Sequence, residues 1–228
     1  MFDFSNSLGW VDYLHAVEAV IPGARGRLLA ALAVNEVPQS VRGLARRAGV
    51  SPSRASQVLE GLAELGIVER HATGSFLAVR LVVDNVAARW VLELGGLWRS
   101  AIDDMRAAGG LICPAPLSLT LFGSFARGTA RAGSDVDVVA VRDIDVDDGD
   151  LGLAQSWLGT LSVWCDTAGR ITGNPVRVID LGVGELQRNP LGKRLPAWRV
   201  AACREGIVLV GSSLLELSGA AGMAAGGR

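Results

Sequence analysis

An α+β architecture follows from three features of this 228-residue chain. Through residue 108, apolar side chains recur mostly at three and four positions, the period of a helix with one buried face. From Leu117 onward, short runs rich in valine alternate with helical stretches, as in a small mixed β-sheet flanked by helices. Between these regions stand Gly109-Gly110 and Pro114-Ala115-Pro116, residues that punctuate rather than continue regular structure. The expected divisions are 1–81, a linking helix over 82–110, and 111–228.

Arg25 to Asn35 predicts a helix through Leu28, Leu29, Leu32 and Ala33. Ser40 can cap a second helix through Ala48, with Val41, Leu44 and Ala45 on its inner face and Gly49 ending it. Ser51-Pro52 starts a third, a capping side chain followed by proline at the first helical position. Its apolar face is Ala55, Val58, Leu59, Leu62 and Leu65, and Gly66 closes it. Residues 67–70 and 75–80 then read as the strands of a hairpin around His71–Gly74. Residues 82–108 lack proline and repeat Val86, Trp90, Leu94, Leu97, Trp98, Ala101 and Met105, which predicts one long helix kinked at Gly95-Gly96. Strands follow at 117–122, 136–141, 176–181 and 207–210. Helices are expected from Ser124, near 150–168 and near 197–205.

The formal net charge of −1 conceals an asymmetry. Residues 24–80 hold eight Arg against four Glu, which suggests that this part meets a polyanion. The acids Asp143, Asp145, Asp147, Asp148 and Asp150 read as a solvated connector. No apolar stretch is long enough to span a bilayer, and the N-terminus lacks the basic start and apolar core of a secretory signal, so a cytoplasmic protein without membrane contact is expected. Cys113, Cys165 and Cys203 have no metal-ligand or disulfide spacing and are expected as small core residues. His15 and His71 are too distant in sequence for a histidine metal site.

The run Leu44-Ala45-Arg46-Arg47-Ala48-Gly49-Val50-Ser51, continued by Val58-Leu59-Glu60-Gly61-Leu62 and Gly66-Ile67-Val68, resembles winged helix-turn-helix DNA-binding domains. The resemblance implies that residues 51–65 are the recognition helix, with Ser53, Arg54 and Gln57 facing the major groove. It also implies a wing around His71–Gly74 that touches backbone or minor groove. Arg46 and Arg47 are candidates for phosphate contacts and Arg54 for a base contact, since a guanidinium serves both. The same fold also mediates protein contacts and dimerisation, so a homodimer is open alongside DNA binding.

The most informative stretch is Thr120-Leu-Phe-Gly-Ser-Phe-Ala-Arg-Gly-Thr-Ala-Arg-Ala-Gly-Ser-Asp-Val-Asp-Val. Side chains alternate faces along a strand, so Asp135 and Asp137 project the same way with Cα atoms roughly 6.5 Å apart. Two carboxylates that close repel by about 3 kcal/mol at about 5 Å and an effective dielectric of about 20. A divalent cation relieves the repulsion, and hard cations such as Mg2+ take oxygen ligands of this kind.

Phe-Gly-Ser-x-Ala-Arg-Gly before Ser-Asp-x-Asp resembles the DNA polymerase beta-like nucleotidyltransferase superfamily, and in particular its minimal nucleotidyltransferases. The resemblance covers about residues 117–211. It implies that Gly123 and Ser124 receive the triphosphate of an NTP, with Arg127 and Arg131 available to neutralise the leaving polyphosphate. Asp135 and Asp137 are then catalytic and bind two Mg2+ ions, or Mn2+ in their place. A third carboxylate is implied on a later strand, where it completes the metal site and activates the acceptor hydroxyl. Asp180, after the run Val176-Arg177-Val178-Ile179, is the candidate.

The resulting expectation is a metal-dependent transfer of a nucleoside monophosphate from an NTP to an acceptor, in a chain that also binds DNA. Two other readings keep the fold. In one the chain is a transcription regulator whose second domain only senses nucleotide. In the other it is a toxin–antitoxin nucleotidyltransferase acting on a partner protein or tRNA.

Overall fold

The computed structural model describes residues 15–34, 37–73, 76–131, 133–143, 151–188 and 195–218. They divide into two compact units, with the boundary between Arg99 and Ser100.

The first unit begins with α1 (Ala16–Val20), α2 (Gly23–Ala33) and a two-residue strand, β1 (Gln39–Ser40). Ser40 then caps α3 (Val41–Arg47), its hydroxyl accepting from the Gly43 amide at 3.1 Å. Ser51 does the same for α4 (Pro52–Glu64), accepting from the Arg54 amide with Pro52 at the first position. Both starts agree with the sequence reading because a cap is a local event. The hairpin of β2 (Val68–Thr73) and β3 (Phe76–Leu81) pairs further than expected. His71↔Ala78, Ala72↔Leu77 and Thr73↔Phe76 are strand pairs, so His71 to Thr73 belong to a strand. Gly74 and Ser75 lie outside the described residues. β1 adds antiparallel to β3, giving the order β1-β3-β2. Two residues are too few to show a period, which is why β1 was not anticipated.

The core of this unit is Leu28, Leu29 and Leu32 of α2, Leu44 of α3, and Leu59 and Leu62 of α4, each at most 2 % exposed. Burial on that scale stabilises by about 1.5–3 kcal/mol per side chain. Asn85, not Val82, starts the long helix α5 (Val86–Gly109). Its side-chain oxygen accepts from the amides of Ala87 at 2.8 Å and Ala88 at 3.3 Å. Gly95-Gly96 do not interrupt α5, which is a single helix. A Cβ on Gly95 would lie 2.6 Å from the Ala33 Cβ, so this glycine serves close packing of α5 on α2.

The second unit holds β4 (Ser118–Phe122), α6 (Gly123–Ala126), β5 (Val136–Arg142), α7 (Leu151–Thr172), β6 (Val176–Gly182), α8 (Val183–Arg188), α9 (Ala197–Glu205), β7 (Ile207–Gly211) and α10 (Leu214–Leu217). The sheet order is β6-β5-β4-β7, with β5 and β6 parallel and the other pairs antiparallel. A parallel pair needs a crossover, and α7 supplies it. Side chains of one sheet face, Phe122, Val139 and Val141, meet Leu186 of α8, Ala202 of α9 and Leu214 of α10. Leu119, Leu121, Val138 and Ala140 form the opposite, fully buried face. The Trp164 indole of α7 donates to the Met105 carbonyl of α5 at 3.0 Å. The expected α+β character with a small mixed sheet is what the structure shows. α8 and α10 were not anticipated; each is a few residues long. Cys113 is exposed rather than a core residue, while partial burial pushes the Cys165 and Cys203 thiols up.

Candidate functional site

β4 ends at Phe122, which pairs with Asp137 on β5, so the turn at Gly123 opens directly beside the Asp137 carboxylate. Gly123 has φ +75, a left-handed backbone that side chains resist. A Cβ built there would lie 2.7 Å from Asp137 Oδ2. Glycine is therefore required twice over, by the turn and by the carboxylate. Ser124 follows as the second residue of α6 and is partly exposed.

Asp135 and Asp137 precede and open β5 two residues apart, hence on one face. Burial first, and then the charge of Asp135, push the Asp137 carboxyl above its ordinary range, while Arg177 and Arg127 pull the other way. Burial and the adjacent carboxylate together disfavour the ionised form of Asp137 more than the two arginines favour it. That is the condition under which a hard divalent cation is attracted to a carboxylate pair. Two carboxylates on one face supply oxygen donors of the kind such an ion takes.

Asp180 is not part of this cluster. Parallel pairing sets Asp137 opposite Arg177 and Ala140 opposite Asp180. Paired residues share a face and successive residues alternate, so Asp180 lies on the other side of the sheet from Asp137. There it accepts from Arg142 Nη1 at 2.7 Å and from the Trp157 indole at 3.2 Å. These contacts make Asp180 a structural link between β5, β6 and α7. The expected set of three carboxylates is corrected accordingly. Among the described residues, no three His, Cys, Asp or Glu side chains converge to hold a metal. The position facing Asp137 on β6 belongs to Arg177, whose Nε lies 3.0 Å from Asp135 Oδ2. Sequence reading passed over Arg177 because the register between strands distant in sequence is not a local property.

Arg127, just after α6, forms an ion pair with Glu205 of α9 and is close enough to Asp137 to affect its ionisation. Arg131 lies further out. Its side chain is exposed, and its backbone amide donates to Ser134 Oγ at 2.9 Å in the loop leading to β5. Asn174, another unanticipated residue, donates to the Ser134 carbonyl at 2.6 Å and so ties that loop to the start of β6. Of the seven residues expected at this site, Gly123, Ser124, Asp135, Asp137 and Arg127 come together. Arg131 stays at the edge and Asp180 is elsewhere.

In the first unit, α4 buries Ala55, Val58, Leu59 and Leu62 and therefore exposes Ser53, Arg54 and Gln57 on its other side. Arg54 Nη1 donates to Gln57 Oε1 at 2.9 Å, which holds the two side chains together on that face. Arg46 and Arg47 are exposed at the end of α3. A groove of about 780 Å3 runs beside α4, lined by Arg42, Ser53, Ser56 and Phe76 among others. Arg42 and Ser56 extend the polar surface that the sequence reading had singled out. On the wing, Glu69 pairs with Arg80 and with His71, the latter at 2.9 Å, and the Arg80 and His71 hydrogen bonds hold its carboxyl below the usual range.

Comparison with known proteins agrees with this division. Residues 21–75 match the model of the MarR family, and residues 111–172 match that of the nucleotidyltransferase domain. No curated protein matches the chain. A solved structure is similar at 26% identity over 41% of this chain and 81% of its own. It is the homodimeric winged helix-turn-helix DNA-binding domain of a possible ArsR-family transcriptional regulator from Mycobacterium bovis. Its TM-score is 0.28, too low to bear on the fold. No helix among the described residues is long and apolar enough to cross a membrane. The chain thus joins a winged-helix domain of MarR type to a nucleotidyltransferase domain.

Proposed function

We propose that the second domain binds an NTP together with Mg2+ and transfers its nucleoside monophosphate to an acceptor, while the winged helix binds duplex DNA. The observation that carries this reading is the convergence of Gly123 on Asp137. A backbone turn free of a side chain lies against a partly buried carboxylate that has a second carboxylate, Asp135, beside it. In the reaction, an acceptor oxygen forms a bond to the α-phosphorus, the bond to the bridging oxygen breaks, and pyrophosphate departs with its electron pair. The acceptor proton passes to solvent. A divalent cation at Asp135 and Asp137 would supply charge neutralisation to the triphosphate. Ser124 and the adjacent amides of α6 would donate to phosphate oxygens. Arg127, oriented by its ion pair with Glu205, would direct its remaining guanidinium donors to the same ligand.

The test uses NTPs labelled at the α- or the γ-phosphate, with Mg2+ and a cell extract. Label from the α-position alone should appear on a macromolecule or small molecule. Absence of both transfer and NTP binding would overturn the proposal.

One observation favours a second reading. Asp180 lies on the far face, so among the described residues the cluster holds no third carboxylate to activate an acceptor. A domain that only senses nucleotide needs no such group. That reading predicts saturable NTP binding and a change in DNA affinity on NTP binding, without transfer.

A further inference from the structure

We infer that Arg177 is a phosphate-binding residue of the nucleotide site, and that the site takes one divalent cation rather than two. The inference rests on the nucleotide reading above and specifies its chemistry.

Arg177 stands in register with Asp137 and on the same sheet face, with its Nε 3.0 Å from Asp135 Oδ2. Its side chain is 73% exposed, while that of Asp135 is 26% exposed. Asp135 therefore engages one edge of the guanidinium, and the exposed remainder carries donors that can reach a ligand. As a surface ion pair alone the contact would add little to stability. Its position is what gives it meaning. The planar fork of an arginine matches the oxygens of a phosphate, and here it borders the turn at Gly123 across one strand.

Asp135 and Asp137 contribute two negative charges and Arg177 one positive, while Arg127 is balanced by Glu205. One divalent cation turns the cluster positive enough to receive a triphosphate. A second would sit beside a guanidinium with no further carboxylate among the described residues to hold it. Arginine thus provides the positive charge that another ion would otherwise bring. In the nucleotide-free protein it also partly neutralises Asp135. Being long and exposed, the side chain can exchange Asp135 for a phosphate without disturbing the core.

The experiment counts bound ions. Mn2+ is titrated into the full chain with a saturating non-hydrolysable NTP analogue, read by electron paramagnetic resonance, and analogue affinity with Mg2+ is measured by calorimetry. The parent should bind one Mn2+. Arg177→Ala should weaken analogue binding by about ten- to a hundredfold, the loss of a charge-assisted hydrogen bond, and Arg177→Lys by less. Arg177→Asp should bind a second Mn2+. Circular dichroism of each variant checks the fold, which an exposed side chain is not needed to maintain. Two Mn2+ ions in the parent would overturn the inference, as would Arg177→Ala binding the analogue as tightly as the parent. Failure of the parent to bind the analogue at all would overturn the nucleotide reading itself, a different and recognisable result.

Discussion

Replacing Asp137 by Asn removes one charge while keeping the shape of the side chain, and it should stabilise the metal-free protein. Asp135 and Asp137 lie two residues apart on one face, so their bare repulsion is about 3 kcal/mol at about 5 Å and an effective dielectric of about 20. Arg177 at 3.0 Å from Asp135, and Arg127 nearby, oppose it. Solvent and salt screen the remainder further. A net gain of about 0.5–1 kcal/mol is expected, or a rise of about 1–4 °C in Tm for a chain of this size. The pH dependence has a definite sign. The folded-state pKa of Asp137 lies above its ordinary value of 3.8, so between the two the native state holds a proton that the unfolded chain has released. The contribution of Asp137 to stability therefore falls as pH rises through that interval and is level above it, and the difference between parent and Asn variant isolates it from the other carboxylates. The advantage of the Asn variant should vanish below 3.8 and be complete above the raised value. Thermal unfolding of both proteins in chelator across this range measures it. With Mg2+ and NTP the order should reverse, because the parent alone gains stability from binding. A variant that melts lower than the parent in chelator at neutral pH would refute the electrostatic reasoning.

Gly123→Ala must place a Cβ at φ +75 and 2.7 Å from Asp137 Oδ2, so it should cost about 1–2 kcal/mol in chemical denaturation and also abolish NTP binding. Asp180→Asn should lower stability by about 1–3 kcal/mol through the loss of its charged partnership with Arg142 and Trp157, yet leave the affinity for Mg2+ with NTP unchanged in calorimetry. A loss of metal affinity in that variant would return Asp180 to the site. Arg54→Ala should weaken binding to a specific DNA site by about 1–3 kcal/mol and relax its sequence preference, measured by anisotropy on a selected duplex. Arg46→Ala and Arg47→Ala should instead reduce the steepness of the salt dependence.

Much of this protein is legible in the chain because it is decided locally. Ser40 and Ser51-Pro52 start helices by bonding the nearest amides, and the apolar face of α4 is set by its own period. Gly123-Ser124 with Asp135 and Asp137 is a local pattern too, since the turn and the shared face of two alternate residues need no distant partner. What tertiary structure alone decided depends on which strand lies beside which, and in what register. Asp180 and Arg177 are three residues apart on β6, an odd spacing, so only one of them can face Asp137. Parallel pairing across the α7 crossover selects Arg177, and nothing in the run from Val176 to Leu181 indicates that choice. Gly95 shows the same limit in a helix. Its sequence neighbours suggest a kink, but the approach of Ala33 makes it a packing contact, because a glycine's purpose depends on what lies against its α-carbon.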